Sequence, residues 1–120
     1  MKFSRTKLTG LILCEPRVYG DERGYLVETF RQDKLEEFLG YKIDYVQDNE
    51  SKSSFGVLRG LHYQLPPHAQ SKLVIVHSGK ILDIVVPFSN PKESKIKKFE
   101  LEAGDMLFVP NTYAHGFLTK

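Results

Sequence analysis

The chain has 120 residues, 41% hydrophobic and 27% charged, with a formal net charge of +2. That length supports one domain with its own core, and charges of well-mixed sign give no basis for nucleic-acid binding. The lone cysteine, Cys14, excludes an internal disulfide, and no run reaches the roughly 20 apolar residues of a membrane span or the about 7–15 of a secretory core.

From these bounds follows a single cytoplasmic domain over residues 1–120, with Cys14 as a small buried hydrophobe. Along the chain, "YLVETF" (25–30) is the first strand. "DKLEEFLG" (33–40) then reads as a helix, with Asp33 as N-cap, Glu36 as its capping-box partner and Gly40 as the stop. Strands follow at "KIDYVQDN" (42–49), "VLRGLHYQ" (57–64), "KLVIVH" (72–77), "KILDIVVPF" (80–88), "KKFELE" (97–102) and "DMLFVP" (105–110). They are short, rich in β-branched and aromatic residues, and punctuated by Gly, Pro, Asn or Ser. "HSGK" (77–80) reads as a hairpin turn, and "SNPKES" (89–94) and "EAGD" (102–105) as loops or turns. The "KIKK" run (95–98) reads as a solvated strand face. Strands this short, joined by short connections, predict an antiparallel sandwich or barrel.

Two spacings carry chemistry. His62, Gln64, Lys72 and Gly79 form H-x-Q-x7-K-x6-G, and Gly104, Pro110 and His115 form G-x5-P-x4-H. They resemble the bipartite motifs of the cupin superfamily, whose small barrels often hold a metal on three histidines and a glutamate. Here Gln64 and Lys72 stand at two of those ligand positions. A protonated lysine offers no lone pair and repels a cation, so the pattern points away from metal. A pocket furnished with His, Lys and Arg suits an anionic substrate and proton transfer. His68 and His77 fit neither spacing and read as structural or solvated.

Strand parity poses a problem for such a pocket. In an unbroken strand Arg59 and His62 point to opposite faces. Gly60 lies between them, and an isolated strand glycine often marks a bulge. The prediction is a bulge or kink near Gly60 that turns both side chains toward one cavity.

The resemblance sharpens over longer segments. "YGDERGYLVETF", "QDNESKSSFGVLRGLHYQ", "QSKLVIVHSGKILDIVV" and "PNTYAHGF" occur in order. Together they resemble the dTDP-4-dehydrorhamnose 3,5-epimerase family, metal-free cupins that act on nucleotide sugars. The resemblance implies an all-β fold: a cupin-type antiparallel jelly-roll barrel with one short helix. It implies His62 as general base and Lys72 beside the substrate carbonyl. It implies Arg23 and Arg59 on the nucleotide diphosphate, Arg23 reaching in from a partner subunit of a homodimer. Gln47 and Asn49 would line the nucleotide pocket, and Glu28 and His115 would complete the site. No cofactor and no metal are implied.

The residue types agree with that chemistry. Epimerisation beside a ketone needs a base titrating near neutrality, which an imidazole supplies, and a cation or donor at the enolate oxygen, which Lys72 supplies. A diphosphate favours permanently charged planar guanidinium groups. Asp83 could orient an imidazole or be merely structural. The family continues past A-H-G-F with strands bearing a tyrosine proton donor and an aspartate paired with the base, whereas this chain stops at Lys120. The expectation is a piece of a longer epimerase, its barrel incomplete at the C-terminus. The alternatives are a non-catalytic nucleotide-sugar-binding cupin and, third, a metal-dependent cupin. "VVPFSNPKES" also lacks the Asp and Arg that the family usually carries there.

Overall fold

A computed structural model of the chain describes residues 1–87 and 96–120. Strands β1 (Lys2–Arg5), β2 (Ile12–Glu15), β3 (Val18–Asp21) and β4 (Gly24–Val27) precede helix α1 (Gln32–Leu39). After it come β5 (Leu58–His62), β6 (Lys72–Ile75), β7 (Lys80–Pro87), β8 (Lys97–Glu102), β9 (Met106–Val109) and β10 (Tyr113–Thr119). Two antiparallel four-stranded sheets form, in the orders β1-β2-β9-β6 and β5-β10-β7-β8, and β3 and β4 make a separate two-stranded ribbon.

Each apolar set has its own layer. Leu107 and Val109 of one sheet, with Leu11 and Val76 at the ends of its strands β2 and β6, meet Val85, Leu101 and Tyr113 from the other, forming the core between them. The opposite face of the first sheet, through Ile12, Cys14, Met106 and Phe108, packs on Leu35 of α1 and on Ile43. Phe3 stacks on Phe38 of the helix at 5.2 Å between ring centroids. Period-two alternation thus serves both faces of one sheet, because the helix covers the second.

Several expectations are corrected. The helix starts earlier than predicted, with Arg31 at the N-cap and no side-chain cap, so Asp33 lies in the first turn and pairs with Arg31 at 2.6 Å. Glu36 does not close a capping box: its Oε1 accepts from the Ile43 N–H and from Gln32 Nε2, while Gln32 Nε2 also donates to the Ile43 carbonyl. Residues 42–49 form no strand. Ile43 and Tyr45 point inward as alternation predicts, but helix side chains take the N–H and carbonyl of Ile43, which a neighbouring strand would have taken. Gly40 ends the helix as expected, at φ 81°, its N–H bonded to the Glu36 carbonyl.

"HSGK" is not a hairpin. Its flanking strands belong to different sheets: β6 pairs with β9, and β7 with β8 and β10. The turn at 102–105 is likewise a crossover, and the two crossovers bond to each other through Val76 N–H to Asp105 O and Gly104 N–H to Val76 O. The predicted loop at 89–94 and Lys95 of "KIKK" lie outside the described residues, whereas Lys98 is solvent-exposed on β8. Strands β1, β2, β3 and β10 were not anticipated. β1 and β2 are four-residue segments whose ladders to each other and to β9 hold them in place. Among the described residues no helix is long and apolar enough to cross a membrane.

Candidate active site

The site grows from a defect in the β5–β10 ladder. His62 pairs with His115 and Arg59 with Phe117, so Gly60 and Leu61 together oppose Gly116. This is the predicted bulge. The extra residue cancels the parity problem, and the register sets Arg59, His62, His115 and Phe117 on one face. Gly60 takes φ +111°, a conformation that side chains rarely adopt.

Across β10 the same face continues into β7. His115 is opposite Val85 and Phe117 opposite Asp83, which makes Asp83 the diagonal neighbour of His115. His115 Nε2 lies 2.7 Å from Asp83 Oδ2, with Asp83 fully buried and His115 at 7% exposure. Burial pushes the Asp83 carboxyl above the usual carboxylate range, while the hydrogen bond from His115 and the nearby charges of His115 and Lys72 pull it back in part. The imidazole that Asp83 orients is therefore that of His115, a partnership the sequence left open.

Facing this sheet, β6 carries Lys72 opposite Val109, on the same strand face as Val74, which packs against the inter-sheet core. At this end the sheets part around an open cavity of about 380 Å³. His62 and Lys72 both line it, with Gln64, Gln70, Asn111 and Tyr113. Tyr113 is held by its hydroxyl, which donates to the Thr9 carbonyl at 2.6 Å. Gln70, Asn111 and Tyr113 were missed as lining residues. Gln70 had a signal, since it precedes Lys72 by the two residues that keep a strand face, whereas Asn111 and Tyr113 depend on how β9 turns into β10.

The other predicted site residues lie apart from this lining. Arg23 sits at the exposed tip of the β3–β4 ribbon, its side chain 90% accessible and paired with Asp21 at 2.6 Å. Glu28 faces Arg31 at 3.6 Å. Gln47 Nε2 donates to Asn49 Oδ1 at 3.2 Å on the surface. Arg59 shares the face of His62, but its Nε donates to Ser53 Oγ at 2.7 Å. The structure thus brings His62 and Lys72 together, joins His115 to Asp83 behind them, and leaves Arg23, Glu28, Gln47, Asn49 and Arg59 outside the cavity wall; the bulge expected at Gly60 is present, but it does not bring Arg59 into the His62 cavity. Among the described residues no three of His, Cys, Asp and Glu gather as metal ligands would.

An open cavity with an imidazole on one wall and an ammonium on the other can remove a proton next to a carbonyl and hold the resulting negative oxygen. The family model for dTDP-4-dehydrorhamnose 3,5-epimerase matches residues 5–120. The chain is 45% identical to the dTDP-4-dehydrorhamnose 3,5-epimerase of Shigella flexneri, covering 98% of this chain and 67% of that protein. To the Escherichia coli K12 enzyme of the same name it is 40% identical, over 98% of this chain and 66% of that one. Among solved structures, the enzyme of that name from Elizabethkingia anophelis superposes with TM-score 0.90 at 43% identity, covering 99% of this chain and 67% of that one. The Legionella pneumophila dTDP-6-deoxy-D-glucose-3,5-epimerase, solved with dTDP-4-keto-L-rhamnose, gives TM-score 0.89 at 38% identity, covering 98% and 64%. The two facing antiparallel sheets with one short helix are the expected cupin jelly roll. The chain spans about two thirds of the length of these relatives.

Proposed function

The chain belongs to the dTDP-4-dehydrorhamnose 3,5-epimerase family, and from that premise we propose that it acts on a dTDP-linked 4-keto-6-deoxy sugar as an isomerase. His62 removes the proton from carbon 3 or 5, beside the ketone at carbon 4. Lys72 holds the enolate oxygen that forms, and inversion follows when a proton reaches the carbon from the opposite face, supplied within residues 1–120 by solvent water and in the longer family members by the tyrosine beyond the A-H-G-F segment. The supporting observation is that His62 and Lys72 line one cavity from facing sheets. An imidazole base contributes about 10²–10⁴-fold, and a donor at the oxyanion about 10²–10³. The ketone at carbon 4 already acidifies the C–H bonds at carbons 3 and 5, so the proposed steps are proton transfers that use no electron carrier.

Arg59 and Arg23 bind the diphosphate, Gln47, Asn49 and Glu28 the nucleotide, and His115 supports the sugar end. Arg23 serves a partner's site in a homodimer. The β3–β4 ribbon that bears it leaves Tyr19, Tyr25 and Leu26 largely exposed, and a lone two-stranded ribbon is marginal until something packs on it. The setting is a single cytoplasmic domain over residues 1–120, serving L-rhamnose-type deoxysugar synthesis for surface polysaccharide.

Isotope exchange tests this reading on the proton-abstraction step alone. In deuterated water, the dTDP-4-keto-6-deoxy sugar should gain deuterium at carbons 3 and 5, at a rate that His62→Ala lowers at least about 10²-fold. Equal wash-in by the variant and the parent protein would remove His62 from the role of base. Binding of dTDP with no wash-in above buffer would instead favour a protein that holds the nucleotide sugar without turning it over.

A further inference from the structure

The cavity wall that faces His62 carries two polar side chains that the proton-transfer steps leave unused. β6 pairs with β9 so that Lys72 lies opposite Val109, and the ladder ends there. Continued by one alternate-residue step, the same register sets Gln70 opposite Asn111, and both line the cavity. Neither carboxamide has a hydrogen-bond partner among the described residues. The remaining polar groups are committed or stand elsewhere. The Tyr113 hydroxyl is given to the Thr9 carbonyl, and Gln64 follows His62 by two residues on the opposite wall. One wall therefore offers an ammonium and, about 6.6 Å further along the strand, a facing pair of carboxamides.

The chemistry of the sugar decides what such a pair can read. Besides its ketone, a 4-keto-6-deoxy pyranose carries hydroxyls only at carbons 2 and 3. Inversion at carbon 3 swings that hydroxyl across the ring, so fixed groups cannot hold it throughout. The hydroxyl at carbon 2 keeps its configuration from substrate to product. A hydroxyl both donates and accepts hydrogen bonds, and a carboxamide supplies an acceptor oxygen and donor N–H groups. Two facing carboxamides satisfy a hydroxyl in both senses.

We infer that Gln70 and Asn111 are specificity-determining residues, a carboxamide pair at the end of the β6–β9 ladder that holds the sugar's hydroxyl at carbon 2 while Lys72 holds the oxygen at carbon 4. One carboxamide oxygen accepts from the hydroxyl, and the other carboxamide donates to it. The pair selects 2-hydroxy sugars over 2-deoxy sugars and anchors the ring at a substituent that the reaction leaves alone. The identity of the ligand rests on the proposed function.

The test compares a dTDP-4-keto-6-deoxy sugar with its 2-deoxy counterpart, in the parent protein and in Gln70→Met and Asn111→Ala. Both side chains are exposed, so the variants should fold. Two neutral hydrogen bonds in an open cavity should give the parent about a tenfold preference for the 2-hydroxy sugar in kcat/KM for deuterium wash-in at carbon 5. Each variant should lower that preference to about threefold, by slowing the 2-hydroxy sugar and sparing the 2-deoxy one. A merely structural role would slow both sugars alike, so an unchanged preference in either folded variant overturns the inference. A parent that handles the two sugars equally overturns it as well. Calorimetric binding of the same two sugars separates this inference from the reading beneath it. No wash-in by the parent would refute the proposed function, whereas tenfold tighter binding of the 2-hydroxy sugar, diminished in both variants, would leave the carboxamide pair standing.

Discussion

Gly60 on β5 and Gly116 on β10 lie back to back with no room for a side chain on either. A Cβ on Gly60 would stand 2.7 Å from the Gly116 Cα, and one on Gly116 would stand 2.5 Å from the Arg59 carbonyl oxygen. The bulge that turns His62 onto the face of Arg59 depends on this approach, so the glycines matter to the site through backbone alone. Gly116→Ala should destabilise the fold by about 1–3 kcal/mol through overpacking, measured by urea denaturation. Gly60→Ala should cost more, because φ +111° adds backbone strain to the same collision. A loss under about 0.5 kcal/mol for either would mean that the bulge relaxes freely.

The buried pair behind the cavity has a pH signature. His115→Ala removes the hydrogen bond that lowers the Asp83 carboxyl and leaves it sealed without a partner. Breaking a buried pair from one side costs about 3–5 kcal/mol when the remaining group stays charged. A carboxyl raised by folding favours the folded state below its unfolded value, and that contribution is lost as pH rises through the folded value. The variant raises the folded value further, so its penalty should be small at about pH 4 and grow toward neutrality. Urea melts at both ends of that range check the sign, and a penalty independent of pH contradicts the assignment.

How much of this was legible beforehand divides along physical lines. Gly60 between Arg59 and His62 announced the bulge, because local backbone chemistry and strand parity conflict there in plain view. The motif spacing likewise joined His62 to Lys72. Pairing between distant strands was not visible: "HSGK" has turn chemistry, yet whether its strands pair or part is decided by β9 and β10. Residues 42–49 alternate like a strand, yet the backbone groups of Ile43 are taken by the Gln32 and Glu36 side chains across from the helix. Asp83 reads as one more acid on a strand until the register sets it diagonal to His115.

Arg59 separates binding from folding. Its side chain is exposed and hydrogen-bonded to Ser53, so Arg59→Ala should change stability by less than about 0.5 kcal/mol. On the proposed function it should weaken dTDP binding at least about tenfold, since a charge-assisted contact to phosphate contributes about 1.5–3 kcal/mol. Arg59→Lys should restore only part of the affinity, because an ammonium lacks the planar fork. Calorimetric titration with dTDP reads all three proteins, and full binding by the alanine variant removes Arg59 from the diphosphate site.

Cys14 governs the alkaline limit. Burial raises its thiol from 9.0 to about 11. Below about pH 9 the thiol is neutral in both folded and unfolded chains; between that value and about 11 only the unfolded chain ionises, and stability falls. Between about pH 8.5 and 10.5 the parent protein should lose roughly 1–2 kcal/mol more than Cys14→Ala, whatever the variant's offset at neutral pH. Parallel stability curves would show that the thiol ionises as readily inside as outside.

β2 meets its neighbour β9 from the far end of the chain. During synthesis, at about 5–20 residues per second, Ile12 and Cys14 leave the ribosome seconds before Phe108 and Met106 can cover them. The newborn chain must wait with a greasy edge uncovered, so its yield in a cell will answer to chaperone supply before it answers to the strength of the finished fold.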